Sequence, residues 1–213
     1  MSLSLIKSQF QKNKIGWRKS FLDGFAQDDR GENLPWATYP FIEFITPKLK
    51  PHHEVFEFGS GSSTLFFAKR VKKVVAIEHD KLWFEAMKIK LRENGVKNVE
   101  LILMENALLN SDYENYAMNY VFNSHLCEND EKNVGFDFIL IDSLKRFVCA
   151  KNSVKALKSK GALIIDDSER KHYQKIFDFL LALNFQKYDF VGIAPGQFRL
   201  KNTTIFFQNA LYW

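Results

Sequence analysis

A glycine-rich turn, residues 57–64, holds the residues whose types and spacing could do chemistry. It reads Glu57-Phe-Gly59-Ser-Gly61-Ser-Ser63-Thr64 and joins an apolar run to a stretch of helical character. Glycines suit such a strand-to-helix turn, because a Cβ would obstruct both the tight backbone and a closely approaching ligand. The pattern predicts a ligand-binding turn, and a turn that only packs the helix on the sheet is the alternative.

Two carboxylates narrow the choice of ligand. Glu78 ends the next predicted strand, nineteen residues after Gly59, and this spacing places a carboxylate beside a ribose bound at the turn. Glu57 precedes the first glycine, where it would repel a pyrophosphate and attract a ligand that carries an ammonium and a sulfonium group. S-adenosylmethionine is such a ligand.

The elements that must position these residues alternate between strand and helix. Short β-branched and aromatic runs are separated by segments whose apolar residues recur every three or four positions, which predicts an α/β three-layer fold with a seven-stranded, mostly parallel sheet. The predicted strands are Glu54–Phe58, Lys73–Glu78, Val99–Met104, Phe136–Ile141, Ala162–Asp166, Phe185–Val191 and Thr203–Gln208.

Local signals set the ends of several elements. Asp80 and Ser168 are predicted to begin helices, Asn94-Gly95 to end one, and the apolar residues from Phe147 to Leu157 to form another. A short helix is expected within Thr38–Thr46. The last connection contains the type II turn sequence Ala194-Pro-Gly-Gln197 and no helical period, so the final strand is expected to be antiparallel.

One domain of 1–213 is expected, because 46% of the residues are hydrophobic and only 5 are Pro. It divides into an N-terminal helical extension, 1–52, and a sheet core, 53–208, with an irregular insertion at 106–135. The extension and the insertion lie where lids and substrate walls are commonly built.

The turn resembles the first motif of the class I, Rossmann-like S-adenosylmethionine-dependent methyltransferases. That motif is an acidic residue, any residue, Gly, any residue, Gly and usually a further Gly, whose place is taken here by Ser63. The resemblance covers about residues 53–208. It implies that Glu57, Gly59 and Gly61 shape the methionine pocket and that Glu78 binds the ribose hydroxyls.

The resemblance also implies further cofactor contacts. Asn106, after the third strand, would contact the adenine, and His79 would lie against it, although a surface position for His79 is an equal alternative. Ser63 and Asp142 complete the expected cofactor-binding set. Trp36 belongs to a segment that looks like one found in small uncharacterised members. Trp36 and Tyr39 could cover the cofactor, but core packing is the preferred interpretation.

Carboxylates follow two neighbouring strands of the predicted sheet. Asp142 comes after the fourth strand and Asp166-Asp167 after the fifth, and Asp142 with Lys145 forms a D-x-x-K pattern. The set is similar to the catechol-type, metal-dependent O-methyltransferases, which have Asn where Asp167 stands. Mg²⁺ would suit such oxygen ligands, but strand-end aspartates often cap turns, and the metal-free alternative is favoured. Asp142 or Lys145 is the candidate proton acceptor in either case.

Composition excludes several other classes. The net charge of +5 is spread along the chain, so a nucleic-acid partner is not indicated, and the runs Lys48–Lys50 and Lys69–Lys73 are interpreted as solvated. No apolar run could span a bilayer and no signal peptide is visible, so a cytoplasmic protein is expected. Cys127 and Cys149 form neither a disulfide framework nor a zinc motif.

The sequence therefore predicts a methyltransferase that uses S-adenosylmethionine on an unidentified, small-molecule acceptor. Two alternatives stay open, an NAD(P)-dependent oxidoreductase on a related Rossmann fold and a noncatalytic nucleotide-binding protein. The sequence leaves the oligomeric state open.

Overall fold

A computed structural model describes residues 2–105, 111–124 and 134–210 of the chain. The strands are β1 Glu54–Phe58, β2 Lys73–Glu78, β3 Val99–Leu103, β4 Phe136–Ile141, β5 Leu157–Ile165, β6 Gln186–Gly192 and β7 Lys201–Phe207. The helices are α1 Ser2–Lys12, α2 Lys14–Asp23, α3 Tyr39–Ile45, α4 Ser62–Ala68, α5 Lys81–Glu93, α6 Ser111–Ser124, α7 Arg146–Ser153 and α8 Gln174–Ala182.

The seven strands form one sheet in the order β3-β2-β1-β4-β5-β7-β6. Strands β1 to β5 pair in parallel, and β7 is antiparallel to both of its neighbours, β5 and β6. The predicted α/β fold with an antiparallel last strand is thus confirmed. Ile141 at the end of β4 is level with Phe58 in β1 and Ile165 in β5, so the residues that follow these strands share one edge.

Successive side chains of a strand point to opposite faces, and both faces of this sheet are covered. Phe56 and Phe58 of β1 belong to the core that includes buried residues of α6, α7 and α8. Val55, on the other face, belongs to the core shared with α3, α4 and Trp17 of α2. Continuous burial of β1, β2 and β4 explains why these strands read as unbroken apolar runs.

The segment 106–135 was predicted to be irregular, and this is wrong for its central part. Residues 111–124 form α6, which packs on the sheet through Tyr113, Ala117 and Val121. The spacing of four residues between these apolar positions is the helical signal, which the surrounding polar residues obscured. Asn106 and Cys127 lie outside the described residues, and Cys149 is buried in the core.

Most of the predicted element ends are confirmed. The Asp80 side chain accepts from the Trp83 backbone N–H at 2.9 Å and begins α5, while Gly95 follows its end with φ of +64°. The Ala194 carbonyl accepts from the Gln197 N–H at 3.0 Å, and Gly196 has φ of +72°, as a type II turn requires. Tyr39–Ile45 is helical within the expected range.

Two predicted ends are wrong. Ser168 does not begin a helix, because its hydroxyl bonds the Asn202 carbonyl and the Thr204 hydroxyl of β7, and α8 begins at Gln174 after a short 3₁₀ turn. Leu157 is not the end of a helix either. It begins β5, because α7 ends at Ser153 and only one further 3₁₀ turn follows.

The N-terminal segment is held against the β6–β7 connection by side chains far away in the sequence. The indole N–H groups of Trp17 and Trp36 donate to the carbonyls of Gln197 and Pro195 at 3.2 and 2.8 Å. The Gln9 side chain accepts from the Ile193 N–H at 2.8 Å. In the described ranges, none of the helices combines the length and the apolar character that a membrane span requires.

Candidate functional site

The glycine turn needs glycine at its two predicted positions for different reasons. Gly59 has φ of +96°, and a Cβ there would lie 2.8 Å from the carbonyl oxygen of Asp142. Gly61 has extended backbone, and a Cβ there would meet no atom within 4 Å. Gly59 is therefore required by the backbone and its neighbour, whereas the absent side chain of Gly61 leaves open space.

Glu57 is a fully buried carboxylate next to this turn. Neither of its oxygens has a hydrogen-bond partner among the described residues. Burial raises the pKa of Glu57 to about 7, even though the nearby hydroxyls of Ser63 and Thr64 favour the charged form. A buried acceptor without a donor is costly, so the site is suited to a ligand that brings a donor or a positive charge.

Glu78 is also buried, but its carboxylate is fully engaged. One oxygen accepts from the Ser60 backbone N–H and hydroxyl at 3.0 and 2.9 Å, and the other accepts from the N–H groups of His79 and Asp80 at 2.8 and 3.0 Å. Glu78 thereby ties the glycine turn to the turn that begins α5. A ribose hydroxyl could reach it only by replacing or sharing one of these donors.

A cleft of about 230 Å³, the first cleft, opens between the glycine turn and the ends of β4 and β5. Its lining residues are Phe25, Pro35, Trp36, Ala37, Ser60, Gly61, Ser62, Ser63, Trp83, Leu140, Asp142 and Asp166. Three aromatic rings and two carboxylates thus surround it, and none of the lining residues in the described chain is basic.

Three of the predicted cofactor-binding residues line the first cleft, whereas Glu57, Gly59 and Glu78 are not among its lining residues. Gly61, Ser63 and Asp142 line it, and Trp36 lines it as well, contrary to the preferred interpretation of Trp36 as core. Tyr39 is 3% exposed and packs in the core, as the preferred interpretation of this residue predicts.

His79 is placed beside Glu78 and not in the cleft wall. Its Nδ1 lies 3.2 Å from a Glu78 oxygen, and its ring approaches Tyr113.

The strand-end carboxylates are paired with basic side chains. Asp142 accepts from Arg146 at 2.6 Å, and Asp166 accepts from Lys201 and from the Thr203 hydroxyl. Burial raises the pKa of Asp166 to about 7 in spite of the Lys201 charge. Among the described residues, no group of three or more His, Cys, Asp or Glu side chains could hold a metal ion.

Asp167 has three basic partners, Lys201, Arg170 and Arg199. Burial alone would raise the pKa of this carboxyl, but the three positive charges hold it below its usual value. A carboxylate so neutralised by the protein itself is a poor match for the catechol-type Mg²⁺ set. The arrangement of Asp167 instead joins the loop after β5 to the start of β7.

Lys145 lies apart from the first cleft. Its ammonium is 3.1 Å from Glu114 of α6, and it lines a neighbouring, second cleft with Ser143, Leu144, Arg146, Phe147, Val148, His172, Tyr173 and Lys175. Lys145 has φ of +51°, and this left-handed residue turns the chain between Asp142 and α7. The structure therefore does not bring the two proton-acceptor candidates, Asp142 and Lys145, to one cleft.

Phe25, Trp83, Arg146 and Lys201 are among the residues of the site that were not predicted from the sequence. Phe25 and Trp83 line the first cleft, and the Trp83 indole donates to the Ser60 carbonyl at 2.7 Å. Arg146 stands four residues after Asp142 and could have been identified by that spacing. Lys201 carries no such local signal, because its partners lie in distant parts of the chain.

No protein-family model and no curated protein sequence matches this chain. Solved structures do. A proposed methyltransferase from Streptococcus mutans in complex with S-adenosylhomocysteine is 17% identical, with coverage of 77% of this chain and 93% of that one and a TM-score of 0.53.

Two further structures have different stated activities. A precorrin-6y C5,15-methyltransferase from Geobacter metallireducens is 13% identical, with coverages of 88% and 95% and a TM-score of 0.57. An rRNA methylase from Streptococcus thermophilus is 15% identical, with coverages of 78% and 94% and a TM-score of 0.50. At these identities the likeness establishes the fold, and this chain has the Rossmann-like fold of the class I S-adenosylmethionine-dependent methyltransferases.

Proposed function

We propose that this protein is an S-adenosylmethionine-dependent methyltransferase that binds its cofactor in the first cleft and methylates a small molecule. The observation that carries the proposal is the buried Glu57 carboxylate beside the glycine turn, which accepts no hydrogen bond of normal geometry from the described residues and has only the hydroxyls of Ser63 and Thr64 nearby. The ammonium and sulfonium of S-adenosylmethionine would supply the missing positive charge.

The residues around the first cleft fit this cofactor. Gly61 leaves space where a side chain would stand, and the first cleft opens beside it. Glu78 would contribute to ribose binding by exchange with the Ser60 hydroxyl. Phe25, Trp36 and Trp83 would supply apolar walls that exclude water.

When bound, S-adenosylmethionine supplies an electrophilic methyl group. The protein then has to hold the acceptor in line with that methyl and take up the proton that the acceptor loses. Asp142 is the candidate proton acceptor, because it lines the first cleft, its side chain is 41% exposed, and Arg146 orients its carboxylate. Lys145 is less suited, since Glu114 holds its ammonium in the second cleft.

Calorimetric titration of the full chain with S-adenosylhomocysteine and with NAD tests the cofactor. We expect S-adenosylhomocysteine to bind and NAD not to bind, because Glu57 would repel a pyrophosphate. Binding of NAD alone would contradict the proposal and support the oxidoreductase alternative.

Transfer of a labelled methyl group to a panel of small-molecule acceptors tests the activity. Cofactor binding without transfer to any acceptor, including structured RNA, would support a noncatalytic nucleotide-binding protein instead. The RNA arm is needed because one of the similar folds is an rRNA methylase.

A further inference from the structure

The second cleft lies beside the first at the carboxyl edge of the sheet, where ligands of open α/β folds bind. It has a volume of about 390 Å³, and its walls come from residues 143–148 after β4 and from His172, Tyr173 and Lys175 after β5. Asp142 of the first cleft and Ser143 of the second are consecutive residues. The two clefts are therefore adjacent at this edge of the sheet.

The charged side chains that line the two clefts differ in sign. Four of the residues that line the second cleft are basic, namely Lys145, Arg146, His172 and Lys175, and none of its lining residues in the described ranges is acidic. The first cleft is lined by Asp142 and Asp166 and by no basic residue.

Two of the four basic side chains are partly neutralised because each pairs with a carboxylate. Glu114 pairs with Lys145 at 3.1 Å, and Asp142 pairs with Arg146 at 2.6 Å. His172 and Lys175 have no carboxylate partner within the part of the chain that the structure describes. The second cleft thus keeps an excess of positive charge at its open side.

Arg146 forms the wall between the clefts. It is 8% exposed, its guanidinium pairs with Asp142 toward the first cleft, and it stacks over the Tyr173 ring at 5.0 Å toward the second. Lys175 lies over the Phe147 ring at 4.7 Å. Two of the four basic side chains, Arg146 and Lys175, therefore stand beside an aromatic ring, an arrangement that suits a planar organic anion.

We infer that the methyl acceptor carries an anionic group, a carboxylate or a phosphate, and that the second cleft binds this group while the reacting atom reaches the first cleft past Arg146 and Asp142. The inference rests on the proposed function, because it assigns the second cleft to the acceptor of that reaction. Opposite charges in adjacent clefts would keep the cationic cofactor and the anionic acceptor in their own sites.

The test uses the full chain saturated with S-adenosylhomocysteine and three probes: benzoate, inorganic phosphate and benzylammonium. Binding is followed by the NMR amide shifts of residues 143–148 and 172–175. We expect at least one anion to shift these residues, with benzoate and phosphate separating a carboxylate site from a phosphate site. Benzylammonium is expected to leave them unchanged.

Matched variants distinguish a specific binding site from general electrostatic attraction of anions. Lys175→Glu should weaken binding of the anion about tenfold, the effect of losing one charge-assisted contact. Lys171→Glu makes the same charge change on an exposed residue outside the cleft lining and should change the affinity by less than about twofold.

The outcomes are distinct from those of the cofactor test. The inference would be overturned if both variants weakened anion binding equally. It would also be overturned if a protein that binds S-adenosylhomocysteine showed no amide shifts with either anion, and in both cases the proposed function would stand. If the protein did not bind S-adenosylhomocysteine, both the proposed function and the assignment of the second cleft would be wrong.

Discussion

Lys201 and Asp166 form an ion pair although each residue is only 3% exposed. The same ammonium lies 2.9 Å from Asp167 and donates to the Trp36 carbonyl at 3.0 Å. The buried Lys201 ammonium of β7 therefore balances the negative charge of two strand-end carboxylates and binds the backbone of Trp36, which lines the first cleft. Removal of this ammonium would leave the two buried carboxylates without their shared positive partner.

Lys201→Met should lower the free energy of unfolding by about 3 to 5 kcal/mol at pH 8, as expected when one partner of a buried pair is removed. The loss of stability should be smaller at pH 5. Burial already raises the pKa of Asp166, and removal of the Lys201 charge would raise it further. At pH 5 the native variant would therefore bind a proton at Asp166, and this protonation would make it more stable than at pH 8.

Urea unfolding at both pH values measures this difference. Lys187→Met, which removes a surface partner of Asp189, is the control and should cost at most about 1 kcal/mol. Equal losses at pH 5 and pH 8 would contradict the assigned role of Lys201.

Glu57 should make cofactor affinity depend on pH. Its pKa of about 7 means that the carboxyl must ionise before it can attract an ammonium, so S-adenosylhomocysteine should bind about tenfold more tightly at pH 8 than at pH 6. Glu57→Gln should remove most of this dependence and bind more weakly at pH 8. Calorimetry at both pH values checks the prediction, and a pH-independent affinity in the wild type would be evidence against the Glu57 contact.

Stability gives an independent readout of the same group. Because the folded pKa lies above the ordinary value of 4.5, the native state binds more protons than the unfolded state between about pH 4.5 and 7, so Glu57 lowers stability as the pH rises through that window. Glu57→Gln should therefore lose less stability than the wild type on going from pH 5 to pH 8. Parallel stability curves for the two proteins would refute the raised pKa.

Substitutions at Gly59 and Gly61 should separate folding from binding. Gly61→Val should abolish S-adenosylhomocysteine binding with little change in melting temperature, because its backbone is extended and its side chain would enter only the open cleft. Gly59→Ala should lower the melting temperature, because φ is positive and the Cβ would collide with the Asp142 carbonyl. Normal binding by Gly61→Val would mean that the turn has only a structural role.

Glu78→Ala should weaken the binding of S-adenosylhomocysteine by about 1 to 3 kcal/mol and also lower the melting temperature of the protein. Both effects are expected, because the carboxylate holds four donors of two turns. Glu78→Gln keeps one carbonyl oxygen and should have a smaller effect on stability. Affinity that survives the loss of the carboxylate would exclude Glu78 from the site.

The central strands could be predicted from the sequence to the residue, because β1, β2 and β4 are buried on both faces and end at polar or glycine residues. The bounds of β5, β6 and β7 differ from the prediction by one to five residues, because β5 is partly exposed at its start, β6 is exposed along most of its length and β7 begins with polar residues. The glycine turn could also be identified from the sequence. Its backbone conformation is determined by residues that are neighbours in the chain, so the pattern of glycines is visible locally.

The rest of the site depends on pairs that local sequence does not encode. Lys201 is 35 residues from Asp166 and 165 residues from Trp36. Asp142 and Lys145 are close in sequence, but one left-handed residue sends them to different clefts. Only the three-dimensional arrangement of loops after β4, β5 and β6 determines which of these side chains meet.

The indole contacts of Trp17 and Trp36 with the connection after β6 also have a consequence for synthesis on the ribosome. These contacts span 180 and 159 residues, so Trp17 and Trp36 can dock only after the connection that follows β6 has been made. The parallel strands β1 to β4 can pair earlier, whereas the wall that contains Trp36 closes only once this connection is present. A nascent chain would therefore have most of its sheet before it had a finished cofactor cleft.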